Sequence, residues 1–258
     1  MSELRIAFIG PCHTTGYPGV GPTETFPDVT RRAVEAARPG LALRILTEPC
    51  YHPADLPRAA RRAVHQRAAI AVIEAVGWFA VRGSQAVDLG HLPRGLRSTY
   101  DRVRHLRHVS AQVRRHWPLA GALVAAVETS LAALADGPMR SLVPRLPRPT
   151  LAEYEERLDA AARELRASGV EVVIEGPGLL SDQLDDPALP ADAEGRHRAV
   201  NLMARGVAAR HHAVFVDRVD ATPGTALFYL PGSIRPSRAG HLVWGRLLAE
   251  RLLETALV

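Results

Sequence analysis

Lysine is absent from this chain. All 32 of its Lys-plus-Arg positions are arginine, set against 27 acidic residues for a formal net charge of +5. A complete lack of one basic residue type is a compositional bias, of the kind a GC-rich bacterial coding sequence imposes. It is not the mark of a binding surface. A nucleic-acid reader concentrates its charge on one element, whereas here arginine is spread along every predicted helix, with local density only over residues 97–115. The basic balance therefore reads as solvated helix faces, and no nucleic-acid partner is expected. The missing lysine also removes a P-loop: Gly16, Gly19 and Gly21 form a glycine run, but no helix opens directly on it.

Cysteine is nearly absent as well. Two residues, Cys12 and Cys50, are no disulfide framework. Apolar runs fall far short of a membrane span, so no membrane partner is expected. Met1-Ser2-Glu3 leads straight into the first strand, without the basic and apolar regions of a secretory leader. The expectation is a cytoplasmic protein with both thiols reduced.

What is present suffices for a single core. At 258 residues and 47% hydrophobic content, one domain over 1–258 is expected. Short apolar runs at 6–9, 41–46, 69–76, 170–174 and 213–216 read as strands, the third apolar enough to be central. Helical patterns separate them: Phe26 to about Arg38, Ala54 to about Gln66, Leu151 to Ser168, His197 to Arg210, and Arg238 to about Thr255. Thr150 and Glu153 form a capping box at the start of the third of these, and Gly169 ends it. Strand and helix alternating in this way predict a parallel, doubly wound sheet: an α/β fold, a three-layer α/β/α sandwich with five parallel strands. Residues 77–95 read as a loop with Trp78 and Phe79 at its start, and 98–149 as a helical insert on the same sheet.

Ligands of such sheets sit outside the carboxyl ends of the strands. The first strand ends in Gly10-Pro11 and presents Cys12 and His13 there. The second ends near Cys50 and His52. Glu74 falls inside the third, where a buried acid requires a partner, an arginine being the simplest.

The last block, Ile234-Arg235-Pro236-Ser237-Arg238-Ala239-Gly240-His241, resembles the closing motif of the SGNH (GDSL) hydrolases, Asp-x-x-His-Pro-Ser-x-x-Gly-His. Gly10, Pro11, Cys12 and Thr14 resemble their first block, Gly-Asp-Ser-x-Thr. Residues 75–83 resemble the block written Leu-Gly-Gly-Asn-Asp-Gly-Leu-Arg-Gly. The resemblance implies an SGNH-type, flavodoxin-like sheet and a small-molecule substrate. It also implies that the nucleophilic serine position is Cys12, that the oxyanion-hole glycine falls at or next to Cys50, and that the oxyanion-hole asparagine falls on Trp78, after Gly77. The acid and base fall on Gly232 and Arg235. None of the four residues that name the family is kept.

Three readings of this altered pocket stand. The first is a thiol enzyme performing acyl transfer or ester, thioester or amide hydrolysis, in specialised metabolism: Cys12 the nucleophile, Arg235 favouring a thiolate and binding an anion, His13 or His52 handling the proton, and Cys50, Gly77, Trp78 and Arg235 contacting substrate. No cofactor is expected in that reading. The second is a soft-metal site, such as zinc, held by Cys12, Cys50, His13 and His52, or a Cys12–Cys50 disulfide. The third is a catalytically silent hydrolase scaffold used for binding or assembly. His241, part of the family's Gly-His pair, reads as a structural support.

Overall fold

The structure is a computed structural model that describes residues 2–17, 20–81, 148–180, 190–219, 221, 227–230 and 235–255. The chain divides into two units, 1–83 with 148–258 and 84–147. The second lies outside the described residues, and with it almost all of the insert expected over 98–149.

Five strands form one sheet: β1 (Ser2–Gly10), β2 (Leu41–Pro49), β3 (Ile70–Glu74), β4 (Glu171–Glu175) and β5 (Val214–Val216). Their order is β2-β1-β3-β4-β5, and every pairing is parallel. The period of two along a strand sends alternate residues to opposite faces. Ala7 and Ile9 of β1, with Ala71 and Ile73 of β3, enter one core. Ile6 and Phe8, with Ile70 and Val72, enter the other. Both faces of these strands are apolar because both are covered, which is why the sequence shows unbroken runs there.

The helices among the described residues are α1 (Phe26–Ala37), α2 (Leu56–His65), a single turn α3 (Trp78–Val81), α4 (Leu151–Ala167), α5 (Ala193–Arg210) and α6 (Arg238–Glu254). The first core is closed by α2, α4 and α5 through residues such as Ala59, Leu158 and Val207. The second is closed by α1 and α6 through Phe26, Val34, Leu248 and Leu252. This is the three-layer α/β/α sandwich that the alternation predicts. Thr150 Oγ1 accepts from the Glu153 amide at 3.1 Å, while Glu153 Oε2 accepts from the Thr150 amide at 2.7 Å, so the capping box is formed. Gly169 follows in a left-handed conformation, φ +75°, which ends α4 at little cost for a residue without Cβ.

Two local expectations differ. Trp78 and Phe79 open a helical turn rather than a loop. α5 begins four residues before His197, where Asp192 precedes the first turn and pairs with Arg196 at 2.7 Å. No described helix is long and apolar enough to cross a membrane.

Candidate functional site

The carboxyl ends of the strands meet along one rim. Glu74 ends β3 and Glu175 ends β4, and the two are register partners. Arg218 lies just beyond the end of β5, and His13 lies in the 3-10 turn Cys12–Thr14 that follows β1. All four side chains are buried. The Arg218 guanidinium donates to Glu74 Oε1 at 3.1 Å and stands 2.6 Å from Glu175 Oε2. It also packs over the Trp244 ring at 4.1 Å and the Phe26 ring at 4.8 Å. A planar cation held between aromatic faces and two carboxylates is a place for arginine and not for lysine.

The two carboxylates differ in charge state. Burial pushes Glu74 up, but His13 and Arg218 together outweigh it and hold the group at about 2. Burial pushes Glu175 up to about 7, because Arg218 offsets only part of it and Glu74 adds repulsion. Glu74 is therefore ionised at neutral pH. As an ionised carboxylate it only accepts, so its 2.9 Å contact with His13 Nδ1 places the hydrogen on Nδ1. In the neutral ring the basic nitrogen is then Nε2. Glu74 and His13 form an oriented carboxylate–imidazole pair, the arrangement that positions a general base.

Beside this pair lies a pocket that is open to solvent on one side, with about 420 Å³ of space counted out into that opening. Its described lining includes Trp78, Tyr229 and Trp244, the glycines Gly77 and Gly178, and His13, Glu74, Arg218 and His197. His197 Nε2 donates to the Gly178 carbonyl at 2.5 Å, and burial holds the ring neutral by lowering its pKa. Among the described residues its Nδ1 is buried without a hydrogen-bond partner, and so is Nε1 of Trp244. Gly77 is glycine for a visible reason: a Cβ there would stand 2.2 Å from His197 Nδ1.

The residues singled out in the sequence fall into three places. His13, Gly77 and Trp78 reach this pocket. Cys12 does not line it. The thiol is half-buried beside Arg235, whose guanidinium lies 5.5 Å over the Tyr17 ring. Burial pushes the Cys12 thiol up, and the attraction of Arg235 does not reverse this; the favoured thiolate expected from Arg235 is corrected on that ground. Cys50 and His52 form the third place. Cys50 is buried in the core under α2 with Sγ 3.4 Å from the His52 carbonyl, and His52 Nδ1 accepts from the Ala54 amide at 3.2 Å. The Cys50 amide, expected near the oxyanion hole, donates to the Gly10 carbonyl at 2.9 Å.

Neither cysteine is in a disulfide, so that alternative is not formed. Among the described residues no group of three or more His, Cys, Asp and Glu is placed to hold a metal ion. Cys12, Cys50, His13 and His52 thus do not assemble the zinc ligand set, since His13 turns to Glu74 while Cys50 and His52 turn to backbone partners. His241 is a support: the Phe26 amide donates to its Nδ1 at 3.1 Å, its Nε2 stands 2.8 Å from the Tyr17 hydroxyl, and that hydroxyl donates to the Pro236 carbonyl. Gly232 lies outside the described residues.

Sequence reasoning anticipated an arginine for Glu74 but named neither Arg218 nor Glu175, His197, Tyr229 or Trp244 as site residues. One signal was available. β3 and β4 both end in Val-Ile-Glu, Val72-Ile73-Glu74 and Val173-Ile174-Glu175. Two acids ending adjacent buried strands demand a shared cation.

No family model matches the chain, and no curated protein matches it in sequence. Solved structures match its fold. It is similar to an acetylxylan esterase from Geobacillus stearothermophilus, with 16% identity over 96% of this chain and 94% of that chain and a TM-score of 0.55. It is similar to an alpha/beta hydrolase enzyme from the metagenome of Lake Arreo, Spain, with 14% identity over 96% and 94% and a TM-score of 0.56. TesA matches with 15% identity over 98% of this chain and 99% of that chain, at a TM-score of 0.57. The likeness is one of fold: the chain has the SGNH hydrolase-like fold.

Proposed function

We propose that this chain hydrolyses acyl esters of small molecules, with His13 and Glu74 as its proton-handling pair. The observation that carries the reading is the buried 2.9 Å contact between His13 Nδ1 and an ionised Glu74 at the wall of the pocket. Esterases and hydrolases among the structures of the same fold support the reaction class. In the proposed step, His13 Nε2 takes a proton from water, the water oxygen attacks the ester carbonyl carbon, and the imidazolium returns the proton to the leaving alcohol. Glu74 orients the ring and stabilises its charged form.

Cys12 occupies the place that the SGNH resemblance gives to the nucleophile, and attack by its sulfur is the competing route. Water is favoured because the thiol is held protonated and the His13 ring is bonded to Glu74, with Arg235 and Glu74 the charged neighbours of Cys12. The catalytically silent binding protein is a second reading, favoured by one observation: the Cys50 amide is spent on Gly10, and Trp78 offers no amide side chain to an oxyanion.

The test is turnover of p-nitrophenyl acetate by the wild type, His13→Gln and Cys12→Ala. Loss of about 100-fold or more in kcat/KM in His13→Gln with activity retained in Cys12→Ala is expected for water activated by an imidazole. Loss in Cys12→Ala, with an acetylated cysteine in the mass spectrum of wild type, returns the nucleophile to sulfur. No turnover by the wild type over buffer leaves the binding reading.

A further inference from the structure

His13 and Arg218 share one oxygen. Glu74 Oε1 accepts from His13 Nδ1 at 2.9 Å and from the Arg218 guanidinium at 3.1 Å. Glu74 Oε2 has no hydrogen-bond partner among the described residues, and a Cβ on Gly10 would stand 2.8 Å from it. The last torsion of a glutamate is broad, so a single bond to the ring leaves the carboxylate free to swing. A second donor on the same oxygen removes that freedom. Arg218 is itself held in place. Its guanidinium packs over the Trp244 and Phe26 rings, and its other terminal nitrogen stands 2.6 Å from Glu175 Oε2.

Sharing the oxygen also divides its charge. A buried carboxylate bonded to an imidazole alone holds the imidazolium tightly, and a ring that keeps its proton is not a base. Arg218 brings positive charge to the same oxygen and weakens that hold. The other titratable groups around Glu74 among the described residues do not compete with it. Burial keeps the Cys12 thiol and the Tyr17 and Tyr154 hydroxyls protonated, His241 is neutral, and Glu175 is itself held by Arg218.

We infer that Arg218 is a positioning residue of the His13–Glu74 pair: by sharing Glu74 Oε1 with His13 it fixes the carboxylate and draws off part of its charge, so that the ring is free to give up its proton. It acts through Glu74 and needs no contact with the reacting atoms. The inference deepens the ester-hydrolysis reading, and rests on it only for the statement that the pair serves as a base.

The test takes Glu175→Gln as its background, because Glu175 shares Arg218 and itself titrates at about 7. Arg218→Met and Arg218→Lys are each added to it in the full chain, and the thermal midpoint of each protein establishes folding. With Glu175 neutralised, loss of the arginine no longer orphans a second acid. The ring C–H resonances of His13, assigned by their absence in His13→Gln, follow proton uptake by the pair without any turnover. Their titration midpoint is expected to rise by about one pH unit with Arg218→Met. The acid limb of kcat/KM for p-nitrophenyl acetate should rise with it, and the plateau above the limb should fall about tenfold as Glu74 is released. Arg218→Lys keeps the charge and is expected to return the midpoint most of the way to the background. A midpoint that is unmoved or lowered in the folded methionine variant overturns the inference. A midpoint that rises in a protein without ester turnover upholds Arg218 and removes the hydrolase. Ester turnover with an unmoved midpoint does the reverse.

Discussion

Glu74 and Glu175 are register partners at the ends of adjacent parallel strands, and both carboxylates reach the guanidinium of Arg218. Sharing one cation between two buried acids leaves them unequal. Glu74 also holds His13 and stays ionised, whereas Glu175 is pushed up to about 7. The rim that faces the pocket is thus nearly neutral, and the imidazole is oriented by the one carboxylate that keeps its charge. Four expectations follow from these contacts and those around them.

Arg218→Met removes the shared cation and leaves two carboxylates in a dry rim. Breaking a buried ion network from one side costs about 3–5 kcal/mol. Urea unfolding at pH 7 is expected to show a loss of that size, shrinking at pH 4, where protonation relieves the orphaned acids. A loss below about 1 kcal/mol at pH 7 contradicts the network.

Glu175→Gln isolates the raised carboxyl. A group whose folded pKa is about 7 against an ordinary 4.5 contributes fully below 4.5 and loses that contribution as pH rises to 7. The variant should match the wild type in relative stability at pH 4 and gain on it steadily between pH 4.5 and 7, by about 3 kcal/mol in all. A stability difference that does not change with pH rules this out.

His241 behaves in the opposite sense. Burial holds it at about 3 against an ordinary 6.5, so its neutral form stabilises the fold above 6.5 and that contribution is lost as pH falls toward 3. His241→Gln should lower stability at pH 7 through the lost contacts to Phe26 and Tyr17, yet flatten the acid limb by one proton between pH 6.5 and 3. Between 4.5 and 6.5 the wild type balances this limb against Glu175, so the Glu175→Gln background displays it most clearly. Parallel acid limbs in the presence and absence of His241 count against the assignment.

Gly77→Ala should displace His197, since the added Cβ would stand 2.2 Å from Nδ1. Overpacking of that kind costs about 1–3 kcal/mol. Adding His197→Ala should restore most of the loss, a coupling read by a double-mutant cycle. Additive effects of the two changes would place His197 elsewhere.

Much of the fold is legible before any coordinates, and the reason is local. Apolar runs such as Ile6 to Ile9 and Ile70 to Ile73 are buried on both faces and can only be central parallel strands. Thr150, Glu153 and Gly169 mark the ends of α4 through groups a few residues apart. The site is less legible. His13 is legible because it follows a strand end, and Gly77 and Trp78 because their block resembles an SGNH motif. Cys12, Cys50 and His52 also follow strand ends and Arg235 lies in the closing motif, yet Cys50 and His52 bond within their own turn. Residues that follow neighbouring strands share a rim, but spacing says nothing about which way each side chain turns.

Sequence alone determined the alternating α/β order, the parallel sheet and the buried acid at Glu74, since each follows from periodicity, capping or the cost of an unpaired charge. Only the tertiary structure decided that Arg218, 144 residues along the chain, answers Glu74, that Glu175 competes for it, and that His197 fills the space left by Gly77. Those outcomes depend on which strands lie side by side and how their ends are packed. Long-range juxtaposition of this kind is set by burial of the whole sheet and leaves no periodic trace in the chain.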